Sequence, residues 1–531
     1  MTRTYSYLVP VVRRAGRARL RTALPVVLCL ALSGCAIDLA PDDEPEALPS
    51  PTLSPSQLES TRGGEPAGGD LSEFYDQKVS WSPCRSGMLC ARIEVPLDYA
   101  DPAASSISLS MIKVPAGSDS QRVGSLVVNP GGPGRSGIDY AAATSLFFGS
   151  ELQQAFDIVG FDPRGVGEST PVQCLSDEEL DEFVASDPDP DTDAERERAG
   201  QMVEQLGRGC VERSGDLAAH VSTAEAAKDI DVIRSVLGDK RLSFFGASYG
   251  TFLGATYADL FPERVGRMVL DGAVDSSLSS EESGLIQAKG FETALRAYMR
   301  ACVAAGDCFL GESVDSGAAR IRTFLDEVEQ EPLDTAGDRP LAVGNAVLGV
   351  WSPLYSQESW PVLDQALKSA FDGDGTTLLA LADNYTLRGP DGYANNALEA
   401  LYAVNCLDPR DAITMQEVPG RVADFEQASP TFGAIFAYGL AGCTDWPVEG
   451  AGTPKPISAE GAPPILVVGT TRDPATPLEW AESLASQLDS GVLVRRDGDG
   501  HTGYLAGNDC VDDVVESYLV SGKTPKSDVS C

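Results

Sequence analysis

Short, almost continuous apolar runs recur through the middle of the chain, and each one ends at a glycine-rich or polar turn. Three of them are Ser125–Asn129, Phe156–Asp162 and Leu242–Ala247. Runs of this length without alternation are typical of strands buried on both faces, as in a parallel sheet. Segments with helical spacing separate the runs, so the pattern predicts an α/β architecture in which strands and helices alternate.

The clearest of these helices lies directly before the third run. Ser222 is followed three residues later by Glu225, which is the pattern of a capping box at a helix start. Apolar residues then recur at helical spacing until Gly238, which is expected to end the helix. Ahead of the parallel strands, Cys90–Tyr99 alternates between apolar and polar residues, and Ile107–Val114 is expected to pair with it.

A long interruption divides the α/β pattern after the strand predicted at Arg267–Asp271. The pattern resumes with four elements, namely Pro464–Gly469, a helix around Leu478–Leu488, Gly491–Arg495 and a last helix from about Asp509. The stretch between them carries helical patterns such as Gly290–Ala304 and lacks the composition of a linker. We predict a core formed by residues 73–273 and 456–531, with helices on both faces of the sheet and a largely helical cap inserted at residues 274–455.

The first 34 residues have the pattern of a targeting segment. Arginines at positions 13, 14, 17, 19 and 21 precede an apolar stretch, Ala23–Leu32, that is too short to span a bilayer. The sequence that follows, Leu32-Ser33-Gly34-Cys35, resembles a bacterial lipobox. The resemblance implies removal of residues 1–34 and acylation of Cys35, and an ordinary cleaved signal peptide is the alternative.

Export is expected in either case, and an acyl chain such as palmitate on Cys35 would hold the protein at the outer side of the cell membrane as a lipoprotein of the cell envelope. Residues 35–72, which are rich in Pro, Ser, Glu, Asp and Gly, are predicted to form a flexible tether.

The composition restricts the partners of the chain. Its 531 residues are 43% hydrophobic and 22% charged, which is ordinary for a soluble globular protein. The formal net charge of −39 argues against nucleic acid, because binding a polyanion requires clustered Lys and Arg. We expect a monomer whose acidic surface mainly confers solubility.

The cysteines predict disulfides rather than a metal site. Of the 12 in the chain, Cys29 lies in the removed segment and Cys35 would be acylated, which leaves ten in an exported protein. Sequence does not fix their connectivity, but their order suggests the local pairs Cys84 with Cys90, Cys174 with Cys210, Cys302 with Cys308, Cys406 with Cys443, and Cys510 with Cys531. With no Cys-x-x-Cys and only two histidines, neither a metal nor another cofactor is expected.

Candidate chemistry begins at the end of the third apolar run. Gly246-Ala247-Ser248-Tyr249-Gly250 follows the strand and opens a helix-like segment, which is the setting of a nucleophile elbow. The two glycines lack the Cβ atoms that would collide where strand and helix approach each other, so the Ser248 hydroxyl would be exposed. The five-residue pattern alone is weak evidence, since a glycine-rich turn without chemistry also produces it.

A serine nucleophile needs a base, and the base needs a carboxylate to orient it. His501 follows the last predicted strand at the carboxyl edge of the sheet, whereas His220 precedes the nucleophile and lies beside a helix cap. The chain order of serine, acid and histidine in α/β-hydrolases therefore favours His501. Asp473, on the loop after the resumed strand, is the favoured acid, and Asp271 and Asp275 are its rivals.

Negative charge that develops on the substrate carbonyl oxygen must be accepted by hydrogen-bond donors. One donor is expected to be the backbone amide of Tyr249, and the second an amide of the first glycine-rich loop, Asn129–Gly137. Pro133 has no N–H, so Gly131 or Gly132 must supply the second donor, and we choose Gly132.

Together these motifs resemble the secreted tripeptidyl aminopeptidases of actinobacteria, which are α/β-hydrolases related to prolyl iminopeptidases. The resemblance covers about Val79–Cys531 and includes Asn129–Gly137, Phe161–Ser169, Gly246–Gly250, Asp473–Pro477 and Gly500–His501. It implies a serine exopeptidase that releases short peptides from free N-termini, with Ser248, Asp473 and His501 as its triad. Related mycobacterial proteins of this group are lipoproteins of the cell envelope, and the group also contains esterase-like members.

An aminopeptidase must hold the cationic α-amine of its substrate, which calls for a carboxylate in a partly closed site. Within the predicted cap, Asp408 is the candidate. Two other kinds of protein would share some of these sequence features. One is a carboxylesterase or lipase that uses the same triad, and the other is a non-catalytic solute-binding lipoprotein, which needs no ordered serine, acid and histidine.

Overall fold

The computed structural model describes residues 71–408, 411–450 and 453–531. The predicted signal peptide, Cys35 and residues 36–70 of the predicted tether lie outside these ranges. The described residues belong to one unit. Among these described residues, no helix combines the length and the apolar character needed to cross a membrane.

The described part of the chain contains twelve strands: β1 (Ser82–Pro83), β2 (Leu89–Pro96), β3 (Ser106–Val114), β4 (Gly124–Asn129), β5 (Phe156–Phe161), β6 (Leu242–Ala247), β7 (Val265–Asp271), β8 (Arg388–Gly389), β9 (Gly392–Tyr393), β10 (Ile465–Arg472), β11 (Gly491–Asp499) and β12 (Val529–Ser530). Ten of these described strands form one sheet in the order β1-β2-β3-β5-β4-β6-β7-β10-β11-β12, and β8 pairs with β9 in the cap. The pairs β1–β2, β2–β3 and β3–β5 are antiparallel. The other pairs in the large sheet are parallel. The sheet is therefore mostly parallel, as predicted.

Helices lie before, within and after the predicted insertion. Those of the first part of the core are α1 (Ser72–Tyr75), α2 (Gly137–Ala142), α3 (Thr144–Phe147), α4 (Ser150–Ala155), α5 (Asp177–Ala185), α6 (Asp193–Ser214), α7 (Thr223–Val236) and α8 (Tyr249–Leu260). The cap contains α9 (Ser280–Ala304), α10 (Val314–Gln330), α11 (Val343–Trp351), α12 (Trp360–Phe371), α13 (Thr376–Thr386), α14 (Ala397–Leu407), α15 (Val422–Ala428) and α16 (Gly433–Gly439). The core then ends with α17 (Leu478–Gln487) and α18 (Asp509–Ser521).

The large sheet is buried on both faces by different helices. Along β6, the side chain of Phe244 belongs to an apolar cluster with residues of α7, α8 and α17. The next residue, Phe245, belongs to a cluster on the opposite face with residues of α2, α4 and α18. This two-sided burial explains why the parallel strands are apolar at consecutive positions. The cap has a further apolar cluster of its own, formed mainly by α9 to α13.

The ten cysteines of the described chain form the five pairs that their order suggests. They are Cys84–Cys90, Cys174–Cys210, Cys302–Cys308, Cys406–Cys443 and Cys510–Cys531. Two of the disulfides lie within the cap, and the last one joins the start of α18 to the final residue. The cysteine pattern therefore corresponds to local cross-links, each of which closes a loop of fewer than forty residues.

Between β5 and β6 the structure contains α5 and α6 in addition to the predicted helix α7. Both begin with a complete capping box, at Ser176 with Glu179 and at Thr192 with Glu195. These patterns are visible in the sequence, but α6 is rich in charged residues and buries few apolar ones, so its helical spacing is weak. Helix α9 likewise begins ten residues before the predicted Gly290.

Candidate active site

Ser248 lies at the sharp turn where β6 ends and α8 begins. Its backbone has φ 56° and ψ −129°, a strained conformation for a residue with a side chain. The Ser248 amide donates a 2.9 Å hydrogen bond to the carbonyl oxygen of Asp271 at the end of the neighbouring β7. A strained serine held between a strand and a helix at the carboxyl edge of a sheet has the geometry of a nucleophile elbow.

The two glycines of the elbow permit a very close approach of backbone segments. A Cβ atom on Gly246 would lie 2.2 Å from the carbonyl oxygen of Gly250, and one on Gly250 would lie 2.6 Å from the carbonyl oxygen of Asn129. Neither position could carry a side chain unless the backbone moved. The structure thus confirms the physical reason for the Gly-x-Ser-x-Gly pattern.

His501 and Asp473 form a direct pair. The Nδ1 atom of His501 lies 2.9 Å from each carboxylate oxygen of Asp473. Because an ionised carboxylate only accepts hydrogen bonds, the neutral imidazole carries its proton on Nδ1, and Nε2 is an acceptor. Gly272 directly follows Asp271, whose carbonyl oxygen accepts the hydrogen bond from the Ser248 amide. A Cβ atom on Gly272 would lie 3.2 Å from Cε1 of His501, so the imidazole lies beside the end of β7, next to the elbow.

The carboxylate of Asp473 is held by the loops around it. Asp473 is 2% exposed. Its two oxygens accept hydrogen bonds from the amides of Ala475, Thr476 and Thr502 and from the Thr476 hydroxyl, at 2.9 to 3.1 Å. These donors satisfy a buried negative charge and fix its orientation. Asp473 is therefore placed to orient His501 and to stabilise the imidazolium form.

The two rival carboxylates have other partners. Asp271 accepts hydrogen bonds from the amides of Gly503 and Tyr504, at 2.8 and 2.9 Å, and so holds the loop that follows the histidine. Asp275 accepts a 2.8 Å hydrogen bond from the side-chain amide of Gln487 in α17. Of the three candidate acids, it is Asp473 that the structure hydrogen-bonds to the imidazole.

The second histidine, His220, is used at the start of α7. Its Nδ1 atom lies 2.9 Å from Oε1 of Glu225. In the described residues these two side chains and Asp98 have the spacing of metal ligands, with donor atoms within 4.8 Å of one another. However, the guanidinium of Arg164 lies 3.6 Å from the same Glu225 oxygen and supplies positive charge there. We assign no metal to this cluster.

The first glycine-rich loop lies directly against the elbow. A Cβ atom on Gly131 would lie 2.8 Å from the amide nitrogen of Tyr249 and 3.0 Å from Cβ of Ser248. The Gly131 amide itself donates to Oδ1 of Asn129 at 2.9 Å. Gly132 is exposed, and no hydrogen bond among the described residues uses its amide or that of Tyr249. The assignment of Gly132 and Tyr249 as the oxyanion donors stays a prediction, and both amides lack another partner among the described residues.

We expect Gly131→Ala to lower kcat by about 100-fold or more, because its Cβ atom would displace the elbow or the loop, and loss of one oxyanion donor has an effect of this size. Gly87→Ala is the matched control, since Gly87 also has a positive φ of 73° but an added Cβ atom would meet nothing within 4 Å. Steady-state kinetics and thermal unfolding of the two variants check the prediction. Equal kcat values in both variants would contradict this placement of the loop.

The electrostatic surroundings of His501 favour its protonated form. Burial lowers the pKa of His501, but the charge and hydrogen bond of Asp473 and the charge of Asp271 outweigh it, so the pKa is raised above its ordinary 6.5. Burial also raises the pKa of Asp271 to about 6, against the opposing effect of the Tyr504 and Gly503 amides.

Activity is expected to fall as the pH decreases through the pKa of His501, because only the neutral imidazole can accept the serine proton. Since that pKa is raised, the midpoint of the acid limb should lie above 6.5. The measurement is the pH dependence of kcat/KM between about pH 5 and pH 9. A flat acid limb, or a midpoint clearly below 6.5, would count against His501 as the base.

The cap contacts the histidine loop directly, which no sequence pattern indicated. The short helical turn Ser352–Tyr355 follows α11, and the carbonyl oxygen of Tyr355 accepts a 2.8 Å hydrogen bond from the His501 amide. The ring of Tyr355 packs edge-on against the imidazole, with ring centroids 5.2 Å apart. Its hydroxyl lies 3.5 Å from the hydroxyl of Tyr385 in α13. The cap thus forms one wall of the site and supports the loop that carries the histidine.

Asp408 lies in a buried joint between the end of α14 and the start of α7. It is 7% exposed, and its carboxylate accepts hydrogen bonds from the amide and the hydroxyl of Thr223, at 2.8 and 2.6 Å. The same hydroxyl lies 2.5 Å from that of Tyr249. A carboxylate engaged in this way caps α7 and is not presented to a ligand, so we do not assign the substrate amine to Asp408.

A mostly parallel sheet with helices on both faces, a strand–serine–helix elbow and a histidine on the loop after the last long strand occur together in the α/β-hydrolase fold. The chain order of Ser248, Asp473 and His501 is also the order of this class. The chain is an α/β-hydrolase of the serine type.

Comparison with known proteins gives the same class. Residues 124–315 match the family model described as alpha/beta hydrolase fold, and residues 429–531 match the one described as TAP-like protein. The chain is 38% identical over 484 residues to the serine protease Hip1 of Mycobacterium tuberculosis (strain H37Rv), which covers 86% of this chain and 91% of Hip1. Carboxylesterase B of the same strain is 36% identical over 472 residues, covering 85% and 89%.

The tripeptidyl aminopeptidase of Streptomyces lividans is 32% identical to the chain over 475 residues, covering 85% of this chain and 86% of that enzyme. Similarity of this extent, together with the two family models, establishes the family. The chain belongs to the tripeptidyl aminopeptidase family of α/β-hydrolases, as its motifs predicted, and is a serine hydrolase.

Proposed function

We propose that the chain is a serine exopeptidase that releases short peptides, tripeptides foremost, from free N-termini through an acyl-enzyme on Ser248. The observation that carries the proposal is the 2.9 Å pairing of His501 with Asp473 beside the serine elbow. Relatives named serine protease and tripeptidyl aminopeptidase support peptides as the substrates. The cap against the histidine favours chain ends over folded proteins.

In the proposed reaction, Oγ of Ser248 attacks the carbonyl carbon of the scissile bond while its proton passes to Nε2 of His501. The carbonyl oxygen becomes an oxyanion, to which the amides of Gly132 and Tyr249 donate hydrogen bonds. His501 then gives its proton to the leaving amine as the C–N bond breaks, which leaves an ester on the serine. Water, activated by the same histidine, hydrolyses this ester and regenerates the free hydroxyl.

A carboxylesterase is the second candidate, because carboxylesterase B is similar over most of the chain and the same triad chemistry cleaves esters. The oxyanion loop argues for the peptidase, since it carries Gly131-Gly132-Pro133 and lacks the His-Gly-Gly-Gly form found in lipases and esterases.

Paired substrates separate the two functions. We expect Ala-Ala-Pro-p-nitroanilide with a free N-terminus to be hydrolysed at least about 10-fold faster than its N-acetylated form, because an exopeptidase site discriminates by the terminal amine. Mass spectrometry of the products from longer peptides gives the number of residues released. Equal rates on both anilides would refute the aminopeptidase, and rapid hydrolysis of simple p-nitrophenyl esters alone would favour the esterase.

We further propose that the protein is exported and held at the outer face of the cell membrane by lipid on Cys35. The support is the lipobox-like sequence before this cysteine. Labelling with a palmitate analogue and cell fractionation test the proposal. Cys35→Ala should lose the label and leave the membrane fraction, and a labelled, membrane-bound variant would show that another residue anchors the chain.

A further inference from the structure

The oxyanion loop reaches the cap through one arginine. Arg135 lies three residues after Gly132, and its amide donates a 3.2 Å hydrogen bond to the carbonyl oxygen of Gly131. Its guanidinium lies over the ring of Tyr385 in α13, 5.6 Å from the ring centroid, and Nη2 donates a hydrogen bond to the carbonyl oxygen of the same tyrosine. The loop that lies against Ser248 is thus joined to the cap by a cationic side chain.

The cap also contacts the histidine, through a tyrosine beside Tyr385. From Tyr385 the contact continues to Tyr355, with ring centroids 6.0 Å apart, and from Tyr355 to the imidazole of His501 at 5.2 Å. Because the imidazole lies beside the end of β7, next to the Ser248 elbow, these contacts link the oxyanion loop to the histidine through the cap. We call Arg135, Tyr385, Tyr355 and His501, together with the oxyanion loop, the cap ring.

Arg135 is the cation of the cap ring, and no acid neutralises it within the described chain. No carboxylate oxygen in residues 71–408, 411–450 and 453–531 lies within 4.0 Å of its guanidinium nitrogens. Several buried arginines elsewhere are paired with acids, such as Arg164 with Asp229 at 2.7 Å and Arg234 with Asp231 at 2.8 Å. The guanidinium has five N–H donors, and its described hydrogen bond uses Nη2 alone. Half-buried donors without an acid partner can receive a carboxylate from a ligand.

We propose that Arg135 binds a carboxylate of the peptide substrate close to the scissile bond and makes the enzyme selective for peptides that carry one there. The inference rests on the proposed exopeptidase function and deepens it. A planar guanidinium matches the geometry of a carboxylate, and aromatic walls that exclude water strengthen such a charge-assisted hydrogen bond. The carboxylate can be the C-terminus of a short peptide or the side chain of an acidic residue next to the cleaved bond.

Three variants isolate the charge of Arg135. Arg135→Gln removes the charge and keeps an N–H group that can donate to the Tyr385 carbonyl oxygen. Arg135→Lys keeps the charge without the planar fork. Arg300→Gln is the matched control, because Arg300 is an exposed arginine of α9 and the substitution changes the net charge equally. Ala-Ala-Ala-Ala as free acid and as C-terminal amide tests the terminal carboxylate, and Ala-Ala-Ala-Asp-amide against Ala-Ala-Ala-Asn-amide tests the side chain.

The wild type is expected to prefer the carboxylate-bearing member of at least one pair by about 10-fold or more in kcat/KM, as a charged hydrogen bond contributes. Arg135→Gln should abolish that preference, mainly by raising KM for the carboxylate-bearing peptides more than for the uncharged ones, whereas Arg300→Gln should behave as the wild type. The pair that shows the preference identifies the source of the carboxylate.

Two results would overturn the proposal. The first is a wild type with no preference in either pair, and the second is an Arg135→Gln variant that loses activity equally on all four peptides, which would make the arginine a structural link to the cap only. If the enzyme cleaves no peptide, the proposed function fails separately. In that case, the rates on mono-p-nitrophenyl succinate and on its methyl ester compare an ester substrate with and without a free carboxylate, and they test Arg135 in the same way.

Discussion

Ser248→Ala is expected to lower kcat by about 10⁵-fold or more, because the variant cannot form the acyl-enzyme and retains only the contribution of binding and of the oxyanion donors. The fold should be unaffected. Among the described residues the Ser248 hydroxyl makes no hydrogen bond, and alanine keeps the Cβ atom at the strained turn. The thermal midpoint should therefore stay within about 2 °C of the wild-type value.

A fluorophosphonate probe makes this test independent of the substrate. The wild type should be labelled on Ser248, as mass spectrometry of the labelled peptide would show, and Ser248→Ala should not be labelled. Ser521→Ala, at the exposed end of α18, is the matched control for the loss of a serine hydroxyl and should label as the wild type does. Full labelling of Ser248→Ala would mean that another residue is the nucleophile.

The elbow and the pairing of His501 with Asp473 could be predicted because each of these residues is marked by a local pattern and a position along the chain. Ser248 lies between an apolar run and a helix, and only two histidines compete for the role of base. The parallel strands were visible because burial on both faces makes consecutive residues apolar. Such signals depend on neighbours in sequence, so they are present before any tertiary structure is known.

The walls of the site could not be predicted, because they depend on how distant segments dock. Arg135 and Tyr385 are 250 residues apart in the chain, and Tyr355 and His501 are separated by almost 150. No local sequence pattern predicts such contacts. Asp408 gives a second example, since a carboxylate near a cap cysteine suggested a ligand role, and the structure shows that it accepts hydrogen bonds from Thr223, 185 residues earlier.

Asp473→Asn is expected to lower kcat about 10⁴-fold near neutral pH with little change in KM. The amide has one oxygen and one NH₂ group where Asp473 now accepts hydrogen bonds on both oxygens, from the Thr476 and Thr502 amides among others. The NH₂ group facing His501 would favour the tautomer with Nδ1 unprotonated. The proton then lies on Nε2, which cannot accept another from the serine. Kinetics and probe-labelling rates measure the loss.

Asp271→Asn is the matched control, since both carboxylates are buried and both act on the charge of the same histidine. Asp271 hydrogen-bonds the Gly503 and Tyr504 amides rather than the imidazole, so its amide variant should lose stability while kcat stays within about 10-fold of the wild type. A loss shared equally by two well-folded variants would mean that negative charge alone supports the base. A loss in Asp271→Asn alone would reassign the acid. A loss specific to Asp473→Asn would show that catalysis depends on the hydrogen bond from Nδ1 of His501 to this carboxylate, which fixes the tautomer of the histidine.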